Sequence, residues 1–118
     1  PAAAQVKLGQ TLLSAGRFAE AEPPLREALA FMDRAQPENW DRFAAKSMLG
    51  EALAGQKKYA DAEPLLRDGH RGLADRAKAI PGTAAQAVPR ARERLVQLYE
   101  AWGKPAEAAE WRPERGGK

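Results

Sequence analysis

Displaced by 41 residues, the chain falls onto itself. Leu8-Gly9 lands on Leu49-Gly50, Leu12 on Leu53, Phe18 on Tyr59 and Ala21-Glu22-Pro23 on Ala62-Glu63-Pro64. Between residues 8–30 and 49–71, nine of 23 positions are identical. A third, weaker copy follows at a further offset of 46: Leu95 falls after Leu49, Tyr99 after Leu53, and Ala108 after Ala62. Self-similarity at this period marks a repeat array, in which a unit too small to bury its own apolar face stacks on copies of itself.

Each copy has the same inner rhythm. A first apolar stripe (Leu8 and Leu12, Leu49 and Leu53, Leu95 and Tyr99) is spaced by four and so lies along one helix face. A breaker follows: Ala15-Gly16-Arg17, Gly55-Gln56-Lys57-Lys58 or Trp102-Gly103-Lys104. A second stripe then runs through Phe18, Ala21, Leu25, Ala28 and Met32, and through Tyr59, Ala62, Leu66, Gly69 and Leu73. The small Ala21 and Ala62 stand where a bulky side chain would push paired helices apart. Pro23 and Pro64, placed near the first turn where a missing N–H matters least, set the second helices starting near Phe18 and Tyr59. Asn39 and Asp41 are expected caps for the second pair, and Thr83 for the third. The expected pairs are 2–34, 38–79 and 83–112 within one domain, 1–112, with residues 113–118 as a flexible tail.

Composition supports helices alone. The chain has three Val, one Ile and two Thr, too few β-branched residues for a sheet, while alanine fills much of the apolar quota. The fold class is therefore all-α. With no cysteine there is no disulfide framework or thiolate metal site, and the single His70 makes no metal cluster. No apolar run reaches membrane-spanning length and no signal peptide is visible, so the expected location is the cytoplasm. The opening Pro1, without an initiating Met, suggests a trimmed or excised piece of something longer.

The pattern of Leu-Gly, an apolar residue three on, Gly or Lys before Phe or Tyr, then Ala-Glu-Ala-Glu-Pro resembles tetratricopeptide repeats. The 41-residue spacing is similar to the longer, kinesin-light-chain-like variety. Gln36-Pro37-Glu38-Asn39-Trp40, Lys46-Ser47-Met48-Leu49-Gly50 and Leu95-Val96-Gln97-Leu98-Tyr99 resemble repeat tails attached to bacterial serine/threonine protein kinases. No glycine-rich loop, His-Arg-Asp or Asp-Phe-Gly occurs, so a catalytic domain would lie outside these residues.

The resemblance implies a right-handed α-α superhelix of about three helix-turn-helix pairs whose first helices line a concave surface. It places Val6, Gln10 and Leu13 there, then Ser47, Glu51 and Ala54, then Arg90, Glu93, Arg94, Gln97 and Glu100. It implies a protein or peptide partner and no cofactor. Tetratricopeptide domains that grip C-terminal carboxylates use Lys and Asn in the first repeat, Asn in the second, and Lys and Arg in the third. The matching positions here are Val6, Gln10, Met48, Arg90 and Arg94, so only the last two keep that chemistry; an acidic ligand would rest on them. Trp40 is read as a staple between pairs, and Trp102 and Trp111 as closing the end of the array.

Other functions are weaker on the residues. No nucleophile, base and orienting group can be assembled from Ser14, Ser47 and His70, so no enzyme is expected. Seven basic residues between Arg67 and Arg94 stand against three acidic ones, the makings of a phosphate-attracting patch, but no aromatics interleave with them. Nucleic acid is accordingly an alternative reading, as is self-assembly through a bare first helix.

Overall fold

The computed structural model describes residues 2–112; Pro1 and the expected tail, 113–118, lie outside the described residues. Six α-helices follow one another: α1 (Ala2–Ser14), α2 (Phe18–Ala35), α3 (Trp40–Gly55), α4 (Tyr59–Asp75), α5 (Ala87–Ala101) and α6 (Pro105–Trp111). They form three antiparallel hairpins, α1–α2, α3–α4 and α5–α6, and each hairpin packs on the next through α2 against α3 and α4 against α5. No strand occurs among the described residues, and the fold is an all-α superhelix of helix-turn-helix pairs.

The turn inside each hairpin is the same object three times. Backbone N–H groups of Arg17, Lys58 and Lys104 donate to the carbonyls of Leu12, Leu53 and Tyr99 at 2.8, 2.9 and 2.8 Å. Those of Gly16, Lys57 and Gly103 donate to Leu13, Ala54 and Glu100 at 2.9, 2.9 and 3.3 Å. This double closure is the Schellman ending, which satisfies orphan carbonyls by sending one residue into the left-handed region. That residue is Gly16 at φ 75°, Lys57 at φ 68° and Gly103 at φ 78°. Two of three turns use the residue that tolerates such a φ freely; the middle turn forces a lysine into it.

The crossings within the hairpins are made by small residues. Ala21, Ala62 and Ala108 are each 0% exposed. Across from them, a Cβ built on Gly9 would lie 2.5 Å from Leu25 Cγ, and one on Gly50 would lie 2.6 Å from Leu66 Cγ. A leucine of the second helix thus sits directly on a glycine of the first in both full-length hairpins.

Four local expectations change. Pro23 and Pro64 lie at the sixth residue of α2 and α4, past the first turn, although both helices begin where expected. Asn39, not Asp41, caps α3, its side chain accepting from the Asp41 N–H at 2.9 Å. Thr83 caps nothing: it sits in a short 3-10 turn, Gly82–Ala84, and α5 starts at Ala87 with Pro89 in its first turn, where a donor is dispensable. Leu8 is 48% exposed, while its counterpart Leu49 is 1% exposed: α2 packs against α3, and among the described residues no helix covers the matching face of α1.

Replacing Lys57 by glycine removes the left-handed strain, about 1–2 kcal/mol, and adds a smaller chain-entropy term of about 0.5–1 kcal/mol. Lys57→Gly is therefore expected to raise stability by about 0.5–1 kcal/mol, read as a higher urea midpoint with unchanged slope.

Candidate functional site

The first helices of the three hairpins, α1, α3 and α5, frame a groove of about 700 Å³. Ala2, Val6 and Gln10 come from α1, Ala44 and Met48 from α3, and Ala87, Arg90 and Arg94 from α5. The remaining wall is one that helix periodicity alone does not assign to the groove: Phe31 and Met32 near the end of α2, Gln36 just after it, Trp40 and Asp41 entering α3, Leu73 of α4, and Thr83, Ala84 and Gln86 ahead of α5. Phe31 is 45% exposed, a large ring left open beside a buried Met32.

The expected site residues divide into two groups. Val6, Gln10, Arg90 and Arg94 line the groove, as does Met48. Leu13 is 8% and Ser47 0% exposed, so both lie in the interior and not on the concave surface. Ser47 is a small polar residue beneath α5, and its hydroxyl accepts from Arg94 at 3.1 Å. Glu93 and Gln97 sit away from the groove on the exposed side of α5, where the Gln97 amide donates to Glu93 at 3.4 Å. Glu100, likewise exposed, pairs with Arg112.

Arg94 is committed internally. Its side chain is 10% exposed, and its Nε donates to Glu51 Oε1 at 2.6 Å. Burial lowers the guanidinium pKa, with Glu51 opposing that shift and nearby Arg90 adding to it. Glu51 therefore serves α5, not an incoming ligand. Arg90, one turn earlier on the same face, is exposed and has no ion-pair partner among the described residues. On the opposite wall, burial raises the pKa of Asp41, which also has no cation within ion-pair distance among the described residues. The groove thus carries one open cation, one open carboxylate and a mostly apolar lining.

A tetratricopeptide repeat family model matches residues 2–34, all but the last residue of the α1–α2 hairpin. Neither the curated proteins nor the solved structures contain a match to this chain. The matched hairpin and its two successors share the Schellman turn, the buried alanine and the order of helices. Among the described residues no helix is long and apolar enough to cross a membrane, and no group of three or more potential metal ligands converges.

The three tryptophans occupy different places. Trp40 is half-buried on the groove wall, so it faces the cavity instead of only stapling two pairs. Trp102 stacks on Tyr59 at 5.8 Å and on Tyr99 at 6.3 Å, with Lys104 Nζ 3.9 Å above its ring. Trp111 meets the edge of His70 at 5.0 Å. Burial lowers the His70 pKa, and Arg92 reinforces it, so the imidazole is held neutral against that ring. The last two tryptophans therefore fasten the third hairpin to the second.

Phe31 had a signal in the sequence: it falls outside the stripe of α2, next to Met32, and an apolar residue out of phase with its own helix face has nothing there to cover it. Asp41 had none, since its burial comes from the approach of other helices.

Removing the Glu51 charge leaves the nearly dry Arg94 guanidinium with only neutral acceptors, an amide oxygen and the Ser47 hydroxyl. Glu51→Gln is expected to cost about 1.5–3 kcal/mol, whereas Glu93→Gln on the same neighbourhood's open surface is expected to change stability by less than about 0.5 kcal/mol. Paired denaturant titrations check the contrast.

Proposed function

We propose that this chain is a protein-interaction scaffold that holds a peptide or protein segment in the groove between α1, α3 and α5. The observation that carries the reading is the groove itself: about 700 Å³, lined by Val6, Phe31, Trp40 and Met48, with the exposed Arg90 on one wall. Burying apolar side chains against aromatics supplies affinity, and a lone charge supplies orientation. A repeat family whose members generally mediate protein–protein contact matches the first hairpin, which supports the same reading.

The partner segment is acidic at one point, where its carboxylate meets Arg90. The planar guanidinium donates two parallel hydrogen bonds to a carboxylate. Arg94 adds field but no free donors of comparable access, since Glu51 and Ser47 already occupy it. The resemblance of the chain to repeat tails of bacterial serine/threonine kinases supports a role as the C-terminal recruiting module of a cytoplasmic signalling protein. Nothing in the residues supports chemistry of its own.

The basic stretch gives little support to a nucleic-acid role. Arg67 pairs with Glu63, Arg76 with Glu38, and Arg94 with Glu51, leaving Arg71, Lys78, Arg90 and Arg92 as the open cations of that stretch among the described residues. Phosphate binding of useful strength takes six or more such contacts in one footprint, on the order of those that give a steep salt slope.

Selection from a random 15-residue displayed-peptide library against the intact chain tests the proposal. Enriched peptides are expected to carry an aromatic or aliphatic anchor and an acidic residue, and to bind Arg90→Glu at least roughly tenfold more weakly. Peptides that bind Arg90→Glu and Ala44→Glu as well as the parent would overturn it.

A further inference from the structure

The outward face of α1 is a second surface with a definite occupant. In α3, the residues that meet α2 run along one stripe. Arg42 reaches Asp33 at 2.6 Å, Gln56 reaches Glu22 at 2.8 Å, and Gly55 lies under the Phe18 ring. Between these ends, on the same helical spacing, stand Ala45, Leu49 and Ala52, exposed by 0, 1 and 0%. The equivalent stripe of α5 is Ala91, Leu95 and Leu98, exposed by 0, 0 and 1% under α4, ending in Trp102 against Tyr59. Both internal joints therefore use the same line of small and branched residues to receive the second helix of the preceding hairpin.

The 41-residue register carries that line onto α1 as Ala4, Leu8, Thr11 and Ala15. All four are exposed, Leu8 by 48%. The charge at the end of the joint is kept as well. Lys58 lies 3.9 Å from Glu22 across the α2–α3 joint, and Arg17 stands at the corresponding place in the turn after α1, its side chain 62% exposed and 3.6 Å from the exposed Glu20. The other end of the array differs. At the positions where α4 presents Tyr59 and Glu63, α6 has Pro105 and Ala109, so it offers neither the aromatic nor the glutamate to a following hairpin. That absence also removes the matching donor face for head-to-tail stacking of one copy on another.

We propose that the Ala4–Leu8–Thr11–Ala15 face is a docking joint for the second helix of a further hairpin of this repeat type. That helix carries an aromatic residue followed three and four residues on by Ala and Glu, as in Phe18, Ala21 and Glu22. Its aromatic covers the end of α1 and its glutamate meets Arg17, while its alanine makes the crossing with its own first helix. The joint is independent of the groove and of what the groove holds.

The test adds a copy of residues 1–41 directly ahead of Pro1, which sets the copied α2 against α1 in the register that α2 has against α3. Amide hydrogen exchange is then followed over residues 2–14 of the original α1, in the full chain and in the extended chain. Exchange there is expected to slow roughly tenfold or more in the extended chain. Leu8→Glu in the original α1, and separately alanine at Phe18 and Glu22 of the copy, should each return it to the unextended rate. Equal rates with and without the added hairpin overturn the proposal, as does slowing that survives both variants. Slowing in the unextended chain that grows with concentration and vanishes in Leu8→Glu also overturns it, in favour of a second copy on this face.

Discussion

Helices in this molecule approach closely because the residues at their crossings are alanine and glycine. Ala21, Ala62 and Ala108 have no exposed surface, and the leucines at 25 and 66 rest where Gly9 and Gly50 have no side chain. A methyl group added at either glycine would enter a leucine that is itself wholly buried. Close approach then lets Leu25, Leu49, Leu53, Leu66 and Leu95 interdigitate at interior packing density, where each contributes the burial of a full branched side chain. Everything beyond the hairpin, including the groove, inherits its geometry from that spacing.

A second layer joins hairpin to hairpin, with a glutamate at the same repeat position in each joint. Glu22 accepts from the Gln56 amide and pairs with Arg26 at 2.7 Å, and these bonds lower its pKa. Glu63, its counterpart, accepts from the Tyr99 hydroxyl at 2.7 Å. Burial and that bond push the Tyr99 pKa up to about 12, so the phenol remains a donor at neutral and moderately alkaline pH. These carboxylates stand on second helices and reach the next first helix. They hold α1, α3 and α5 side by side, and the groove is the space those three enclose. The molecule is thus a stack whose joints are polar at the rim and apolar in the middle, and the extent of its groove rests on how many first helices are aligned.

Much of this could be read from the residues because a repeat states its own answer more than once. The helix order, the turns at residues 15–17, 55–58 and 102–104, and the burial of both second stripes followed from comparing copies. The failures share one cause. Leu8, Leu13 and Ser47 were placed by analogy within a repeat, yet their environment depends on which neighbour each helix has. Leu8 opens outward because no described helix packs on that face of α1, and Ser47 is buried because α5 and Arg94 cover it. Glu51 looked free until Arg94 claimed it from 43 residues away. Phe31, Trp40 and Asp41 enter the groove at a corner between hairpins, where helical periodicity does not reach.

The claim beneath the rest is that Ala62 marks a tight helix crossing, and a single comparison tests it most directly. Urea unfolding of Ala62→Leu should show a loss of about 1–3 kcal/mol from overpacking. Ala60→Leu, two residues away on the exposed side of α4, should lie within about 0.5 kcal/mol of the parent. Equal midpoints for the two variants would mean that the α3–α4 hairpin has room at its centre, and would contradict the account of how this chain stacks.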